Sequence, residues 1–398
     1  MRRKPRVAII RGPLLNPFEM QSYEPLRNEF DITAFKPHIT QFETGSMGLA
    51  KQTLWCPIAG QIPFERGWRQ WQAARDLIQG DTFSFCGMRD QLKGFDLYHL
   101  KDQSFCYSFE AALARRRYGG KLVVTQLENI PFLNEEKFME RHIKKTVREN
   151  ADLFLAASEG ARQTLLQEGV PDFKIRRISN SIDTDHFTPG SRDSRLASSL
   201  GLPSGAFTLM YVGRLAGSKG TFGLLEAFRR MYQSDSKLHL LLVGKDEEGV
   251  EEWVKRYHLE SRIHLSGFVS YKEMPRYYRL ADLVILPSLT RKRWKEQFGY
   301  VLAEAMACGI PTMGSDSGAI PEVIGREEMI FKEGSVESIR KILEIQRHRP
   351  LGSVKKWVRK RSVELFSSKR LTEFLRKTYN ELLCETSGTH PPAPFRTF

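Results

Sequence analysis

The sequence predicts an α/β protein built from two doubly wound, Rossmann-like domains that face a cleft. Its 398 residues exceed what one ordinary core holds and suggest two or three domains. Eight short runs rich in Val, Ile and Leu recur without polar alternation, as in strands buried on both faces of a parallel sheet. Stretches of helical composition separate these runs, which is the alternation that covers such sheets with helices.

The predicted strands fall into two sets of four. The first set comprises 6–12, 96–100, 121–127 and 151–158, and the second comprises 208–214, 239–244, 262–268 and 281–288. The segment 187–206 between the sets is rich in Ser, Gly and Pro and has no sustained apolar period. We therefore predict an N-terminal domain over 1–187, a linker over 188–206 and a C-terminal domain over 207–366, with ligands bound in the cleft. Residues 386–398 are expected to form a disordered tail.

Composition excludes several classes of protein. With 41% hydrophobic and 27% charged residues, the bulk of the chain is not disordered, collagenous or a simple coiled coil. No apolar run approaches the roughly 18 to 20 residues that cross a bilayer, and the run 7–10 is too short for the core of a signal peptide. Five cysteines without a CxxC pair or clustering with histidine fit a reducing compartment. We expect a cytoplasmic protein without disulfides or a metal site.

The formal charge of +14 is concentrated near the C-terminus. Between residues 340 and 377 there are 13 Lys and Arg residues against 3 Glu, a balance that favours phosphate-bearing or anionic partners. A nucleic-acid-binding protein is one alternative. Such proteins stack bases on aromatic side chains. The aromatic residues of this basic segment, Trp357, Phe366 and Phe374, are few and spaced for helix packing, so we expect no nucleic-acid partner.

The segment TLMYVGRLAGSKGTFGLLEAF has the pattern of a strand, a turn and a helix, with Ser218 as the predicted N-cap. A helix start carries free N–H groups and a partial positive charge, to which Arg214 and Lys219 add two full charges. The segment therefore predicts a diphosphate site, and a plain turn with solvated charges is the alternative. Neither a Walker A loop nor GxGxxG is present, so an ATPase or a dehydrogenase is not supported.

The segment KEQFGYVLAEAMACGIPTMG predicts a helix from about Gly299 to Gly309. Glu296 lies just before this helix and Glu304 within it. Because carboxylates near a diphosphate need other partners, we expect them to accept hydrogen bonds from hydroxyls of a sugar and of a ribose. The backbone N–H groups at the predicted helix start, those of Phe298, Gly299 and Tyr300, are available to phosphate or sugar oxygens.

These two segments resemble the retaining glycosyltransferases of the GT-B architecture, in the family 4 (glycosyl transferases group 1) type. The resemblance rests on Glu296 and Glu304 with seven residues between them, and on Gly213, Arg214, Lys219 and Gly220 in the preceding turn. It implies transfer of a sugar from a nucleoside diphosphate sugar to an acceptor hydroxyl, with retention of configuration and without a metal or other cofactor. It also implies a C-terminal donor domain, an N-terminal acceptor domain, and a final helix over 367–385 that crosses back onto the N-terminal domain.

The resemblance further implies roles for single residues. Arg214, Lys219 and Glu296 would be catalytic, the first two on the donor diphosphate and the third on the transferred sugar, while Glu304 would bind the ribose. Backbone near Phe268 and Val269 would lie by the base, and Gly12 would approach the donor phosphates from the other domain, where a side chain is not needed.

The acceptor half departs from the family pattern. Leu127 stands about where relatives often have a histidine, and Gln126, Glu128 and Asn129 are the candidates to replace it. The acceptor itself is expected to be a carbohydrate or a lipid-linked molecule. Alternatives are a sugar-nucleotide-binding protein without turnover, and an epimerase or phosphorylase of the same architecture.

The basic segment 135–150 is typical of an amphipathic helix. In relatives that act on lipid-linked acceptors, such a surface docks on anionic membrane. Peripheral contact with a membrane is therefore a second interpretation of this helix, beside an ordinary amphipathic one.

Overall fold

A computed structural model describes residues 3–38, 40, 42–54, 87–232, 237–349 and 352–384. The described residues divide into two compact units. The first unit draws on Met1–Ser181 and Ser368–Phe398, and the second is Ile182–Ser367.

The strands, in chain order, are β1 (Arg6–Ile10), β2 (Asp31–Pro37), β3 (Ala50–Leu54), β4 (Leu97–Lys101), β5 (Lys121–Gln126), β6 (Leu153–Ala156), β7 (Ile175–Arg177), β8 (Phe207–Val212), β9 (Leu238–Val243), β10 (Ile263–Gly267), β11 (Leu283–Leu286), β12 (Thr312–Ser315) and β13 (Ile330–Phe331).

The α-helices are α1 (Pro17–Met20), α2 (Met88–Gln91), α3 (Cys106–Tyr118), α4 (Phe138–Asn150), α5 (Glu159–Gln167), α6 (Ser194–Ser199), α7 (Thr221–Arg229), α8 (Val250–Arg256), α9 (Met274–Tyr278), α10 (Tyr300–Ala307), α11 (Ile320–Ile324), α12 (Val336–Arg347), α13 (Gly352–Phe366) and α14 (Ser368–Cys384). No helix among the described residues is long and apolar enough to cross a membrane.

The first unit is a parallel sheet with helices on both faces. Its described strands follow the order β3-β2-β1-β4-β5-β6-β7, and every adjacent pair is parallel. Along β1, Val7 and Ile9 pack in one core and Ala8 and Ile10 in another, all fully buried. Successive side chains of a strand point to opposite faces, so this uninterrupted apolar run supplies both cores at once.

The second unit repeats this architecture around a single large core. Its described strands follow the order β10-β9-β8-β11-β12-β13 and are again parallel. The central strand β8 contributes Leu209, Met210 and Tyr211 to the core. The α/β class with two doubly wound units is therefore confirmed.

Five strands lie outside the predicted runs: β2, β3, β7, β12 and β13. All five are at or next to an edge of the described sheets, where one face or one side of a strand meets solvent and the apolar pattern weakens. In β3, for example, only Leu54 is buried.

The structure divides the chain elsewhere than the sequence predicts. The predicted linker 188–206 lies within the second unit, where it forms α6. Ala197 and Leu202 pack in the core of that unit, which ties the segment to it. A composition rich in Ser, Gly and Pro predicts loops, but it does not tell which core the few apolar residues join. The predicted tail 386–398 lies outside the described residues.

The last helix, α14, completes the first unit. Leu375, Tyr379 and Leu382 are buried in its core. The hydroxyl of Tyr379 lies 2.6 Å from Nδ1 of His99 on β4, and the ring packs edge-on against Phe30. This helix, far from β1 in sequence, is therefore part of the fold of the N-terminal residues.

Candidate functional site

The carboxyl ends of the strands in the second unit gather both sequence motifs at one edge of the sheet. The segment from Gly213 to Gly220 follows β8, and the loop that carries Glu296 joins β11 to α10. Parallel strands end at the same edge, which is where ligands of open α/β sheets bind. This edge is therefore the candidate site in the second unit.

The turn after β8 is packed too tightly for a side chain at Gly220. This residue has φ +74° and is the N-cap of α7. A Cβ atom here would lie 1.9 Å from the carbonyl oxygen of Pro287 at the end of β11. The predicted N-cap, Ser218, lies instead in a short 3₁₀ turn, Gly217–Lys219, that precedes the helix. Only glycine fits the resulting αL position beside the strand end.

Lys219 and Glu296 form an ion pair in this turn. Nζ of Lys219 lies 3.2 Å from Oε2 of Glu296 and 3.9 Å from the ring centroid of Trp294. The hydroxyl of Ser288 donates to the same Glu296 oxygen at 2.9 Å. The structure thus brings together one predicted cation and one predicted carboxylate, and adds two residues that the sequence did not single out.

The backbone of Glu296 is fixed by the loop after β12. The amide of Ala319 donates to the Glu296 carbonyl at 2.9 Å. At Gly318, which has φ +56°, a Cβ atom would lie 2.0 Å from that carbonyl oxygen. The close approach of these two loops requires glycine at 318 and holds Glu296 in place.

Arg214 is held differently from Lys219. Its guanidinium Nη1 lies 3.0 Å from Oε2 of Glu247, and its side chain is 59% exposed. Its own carbonyl accepts a hydrogen bond of 2.7 Å from the buried Tyr211 hydroxyl. Its backbone is fixed, whereas its charge is presented to solvent through a surface ion pair.

Glu304 lies on α10 in an apolar setting. The hydroxyl of Tyr278 on α9 donates to Oε2 at 2.7 Å, and no other hydrogen bond to this carboxylate occurs among the described residues. Ala303, Ala305 and Met306 beside it are fully buried. Burial raises the pKa of Glu304 to about 7, although the Tyr278 hydrogen bond opposes the increase. The carboxylate therefore has one oxygen held and one open to a ligand.

The start of α10 offers backbone groups. Gly299 is its N-cap with φ +88°, and the first N–H groups of any helix lack partners within the helix. The Phe298 side chain is buried and packs edge-on against Phe366, while that of Tyr300 is exposed. Of these three predicted residues, Phe298 can therefore act only through its backbone.

The remaining predicted donor residues lie at the ends of other strands. Gly213 directly follows β8, and Phe268 and Val269 directly follow β10. Phe268 is 82% exposed. Gly12 follows β1 in the first unit and lies against the ring of Tyr107. Their contacts with a ligand remain predictions.

The acceptor-side candidates lie at the end of β5 in the first unit, and Asp102 organises them. Its Oδ1 accepts hydrogen bonds from the amides of Leu127, at 2.8 Å, and Glu128, at 3.2 Å. Burial, reinforced by the nearby Asp102 charge, raises the pKa of Glu128 to about 7. Gln126 and Asn129 on either side are buried. Asp102 directly follows β4, and a carboxylate just beyond the end of a buried strand is the sequence signal that could have identified it.

A buried ionic cluster lies at the ends of β1 and β4. Arg11 is fully buried, with Nε 2.7 Å from Oε1 of Glu19 and Nη2 2.6 Å from the Tyr23 hydroxyl. Nζ of Lys101 lies 2.9 Å from the other Glu19 oxygen. Burial alone would disfavour the charged form of Glu19, but Lys101 and Arg11 lower its pKa to about 2. This cluster, which the sequence did not reveal, braces the edge that carries Gly12.

Within the described ranges, no group of three or more His, Cys, Asp or Glu residues could hold a metal ion. Independence of a metal remains a prediction, as does the absence of another cofactor.

Two family models match the chain. Residues 194–350 match the model described as Glycosyl transferases group 1, and residues 58–186 match Glycosyltransferase Family 4. The first match contains Arg214, Lys219, Glu296 and Glu304. The second ends near the boundary between the two units.

A curated relative is the D-inositol 3-phosphate glycosyltransferase of Corynebacterium jeikeium (strain K411). It is 29% identical over 200 residues, which cover 47% of this chain and 46% of the relative. The chain spans about half the length of the curated relatives it matches.

Solved structures resemble the whole fold. The crystal structure of Anabaena Alr3699/HepE in complex with UDP has a TM-score of 0.75 and 18% identity, covering 95% of this chain and 100% of the other. The same Anabaena protein in complex with UDP-glucose has a TM-score of 0.68 and 17% identity, covering 94% and 99%. At this identity the likeness shows the shared architecture of two doubly wound units.

Proposed function

Because the chain belongs to the group 1 glycosyltransferases of GT-B architecture, we propose that it moves a sugar from a nucleoside diphosphate sugar to an acceptor hydroxyl, with retention of configuration and without a metal. The observation that carries the proposal is the pairing of Lys219 with Glu296 at 3.2 Å, at the strand edge that also carries Arg214. Glu304 lies on α10, the helix that follows Glu296 in the chain.

The charges of this edge suit the two ends of such a donor. Lys219, Arg214 and the adjacent helix start supply positive charge for a diphosphate. Glu296 and Glu304 are acceptors for hydroxyl groups. In the free protein, the charges of Lys219 and Glu296 compensate each other. A bound donor would place its phosphate against Lys219 and a hydroxyl of its sugar against Glu296.

The cations have their main effect on the leaving group. When the glycosidic bond breaks, negative charge grows on the departing diphosphate, and fixed cations stabilise it by several kcal/mol. Lys219 is already fixed by Glu296 and Trp294, so little reorganisation is needed at the moment of reaction. These residues take the place that a metal ion would otherwise fill.

We propose that configuration is retained because the acceptor oxygen attacks the anomeric carbon from the same face of the sugar from which the diphosphate departs. The bond from the anomeric carbon to the diphosphate oxygen breaks, and a bond from that carbon to the acceptor oxygen forms. The departing phosphate oxygen takes the acceptor proton, so no side chain is assigned as a general base.

UDP-glucose is the first donor to test, because it was bound in the Anabaena structure. The relative from Corynebacterium is named for a phosphorylated cyclic polyol, and polyols, carbohydrates and lipid-linked sugars are the acceptor classes to compare. Gln126, Glu128 and Asn129 are proposed to face the acceptor.

Peripheral contact with anionic membrane is a second proposal, favoured by the exposed surface of α4. Phe138 is 77% exposed and Met139 is exposed beside it, while Arg141 and Lys145 lie on the same helix. Sedimentation with vesicles that contain anionic lipid, compared between the wild type and Phe138→Ser, tests it. Absence of sedimentation at low salt would contradict it.

Nucleoside diphosphate release that requires an acceptor tests the main proposal. We first expect one of the UDP, GDP or ADP sugars to raise the melting temperature, because a ligand of the native state stabilises it by mass action. Lys219→Ala should lose most of the turnover. Interconversion of donors without acceptor would indicate an epimerase, a requirement for inorganic phosphate would indicate a phosphorylase, and binding without turnover would indicate a binding protein.

A further inference from the structure

The partner of Glu304 is a tyrosine that no sequence motif identifies. Tyr278, the last residue of α9, is fully buried. Its hydroxyl donates to Oε2 of Glu304 at 2.7 Å, and its ring packs edge-on against Phe187. The ring therefore belongs to the core, whereas the hydroxyl has one specific partner.

This contact fixes the direction of the carboxylate. A glutamate side chain on a helix has several rotamers, and the neighbours Ala303 and Ala307 are too small to select one. The hydrogen bond from Tyr278 restrains Oε2. The half-buried carboxylate is thereby left with Oε1, which accepts no hydrogen bond from the described residues, to meet a ligand.

We propose that Tyr278 is a positioning residue for Glu304, whose hydroxyl holds one carboxylate oxygen so that the side chain meets the hydroxyls of the donor ribose. This rests on the proposed function, since it takes Glu304 as the ribose contact. Tyr278 itself does not touch the donor.

The surroundings of Glu304 imply that donor binding depends on pH. Among the described residues, three ionisable groups face Glu304 or its immediate neighbours: Tyr278, Tyr271 and Cys308. Asp183 lies beside Tyr271, and Arg279 and Arg359 lie beside Cys308. Burial raises the pKa of all three phenol and thiol groups, that of Cys308 to about 12, so they stay neutral between pH 6 and 9. Glu304, with a pKa of about 7, changes its charge within that range.

The direction of the expected effect follows from the hydrogen bond. Tyr278 donates to the charged form and lowers the pKa of Glu304 relative to burial alone. Without the hydroxyl, the pKa rises further and a larger fraction of Glu304 is protonated at pH 7. A protonated carboxyl has fewer acceptor sites for ribose hydroxyls. Donor affinity should therefore fall at pH 7 and largely recover at pH 9.

The experiment measures the affinity of UDP-glucose by calorimetry from pH 6 to 9. Both phosphates of this probe are esterified or bridged, so its phosphate groups do not titrate in this range. The uracil ring begins to lose a proton near pH 9, and this change is common to every variant compared. The variant is Tyr278→Phe, which keeps the ring in the core. The matched control is Tyr277→Phe, one residue earlier on α9, whose hydroxyl makes no hydrogen bond with the described residues. Glu304→Gln and the double variant complete a double-mutant cycle.

We expect Tyr278→Phe to weaken UDP-glucose binding about three- to tenfold at pH 7, in the range of one lost hydrogen bond, and by less at pH 9. The midpoint of the pH dependence should move to higher pH, and Tyr277→Phe should leave it unchanged. In a Glu304→Gln background, the Tyr278→Phe change should have little further effect, because its influence passes through the carboxylate.

Equal weakening by Tyr278→Phe at every pH, or full additivity with Glu304→Gln, would overturn the positioning role. If Glu304→Gln itself binds UDP-glucose like the wild type, the ribose contact of the proposed function fails instead. A 2′-deoxyribose analogue of the donor checks that contact separately, since the wild type should bind it less tightly and Glu304→Gln should not discriminate.

Discussion

Glu296 and Glu304 come from one motif, yet their side chains meet opposite environments. Glu296 accepts from the ammonium of Lys219 and the hydroxyl of Ser288. Glu304 accepts from a phenol among small apolar residues, and burial raises its pKa to about 7. Carboxylates with different surroundings can serve different hydroxyl groups of one ligand. The eight-residue spacing sets their order along the chain, and their neighbours set their chemistry.

Arg214 is expected to contribute to turnover but hardly to stability. Its side chain is largely exposed and forms an ion pair with Glu247 at 3.0 Å. Arg214→Ala should therefore change the free energy of unfolding by less than about 1 kcal/mol. If Arg214 stabilises the departing diphosphate, kcat should fall about 10²- to 10³-fold. Urea denaturation and steady-state kinetics measure the two effects.

The control for this prediction is Glu247→Gln, which removes the same ion pair and keeps the arginine. Its kcat should stay close to that of the wild type. Turnover by Arg214→Ala that equals the wild type would contradict the phosphate contact. An equal loss in Glu247→Gln would show that the ion pair matters rather than the phosphate contact.

At the scale of elements, buried ions join α1 to the ends of β1 and β4. Arg11, Glu19 and Lys101 form two ion pairs that share the Glu19 carboxylate. The two cations favour the charged form of the Glu19 carboxylate and lower its pKa to about 2. Folding is therefore coupled to the ionisation of this one residue.

We expect acid to weaken the first unit through Glu19. Its pKa is depressed in the folded state, so its contribution is present above the unfolded value of 4.5 and is lost as the pH falls toward 2. A shift of this size corresponds to about 3 kcal/mol. Urea denaturation of the wild type and Glu19→Gln should give a large difference in free energy of unfolding at pH 7 and a smaller one at pH 3.

A difference that stays constant between pH 7 and pH 3 would contradict this coupling. Glu24→Gln serves as the control, because Glu24 lies half-buried in the same part of the first unit, and its Oε1 accepts from the Gly48 amide, a hydrogen bond that glutamine can keep. Its difference from the wild type should be small at both values.

The buried strands and the two motifs could be predicted because each rests on local pattern. The apolar run of β1 and the strand, turn and helix around Lys219 are visible in a few adjacent residues. Tyr278 and Trp294 could not be predicted, because their partners Glu304 and Lys219 lie 26 and 75 residues away along the chain. The boundary between the units was misplaced for the same reason. Ala197 and Leu202 are sparse apolar residues in the sequence, and their burial in the core of the second unit depends on residues far away along the chain.

At the scale of the whole molecule, the first unit is built from two separate parts of the chain, one before and one after the second unit. Helix α14 follows the second unit in sequence but contributes Leu375, Tyr379 and Leu382 to the core around β1. The first unit is therefore complete only after the second has been synthesised.

Leu375→Ala tests this dependence. Leu375 is fully buried, so the variant should lose about 2 to 5 kcal/mol of unfolding free energy through lost contacts and a cavity. Ile345→Ala on α12 is the control, because Ile345 is 52% exposed, and it should change stability by less than about 1 kcal/mol. Equal losses in the two variants, measured by urea denaturation, would show that α14 is not part of a core.

A crystal structure of the protein with UDP-glucose would show directly whether the Lys219 and Glu296 pair holds a sugar nucleotide. We expect the diphosphate within about 3 Å of the Lys219 ammonium and the Arg214 guanidinium, the ribose hydroxyls on Glu304, and a glucose hydroxyl on Glu296. An ordered nucleotide elsewhere on the protein, with the Lys219 and Glu296 pair undisturbed and Glu304 bonded to Tyr278 alone, would contradict it.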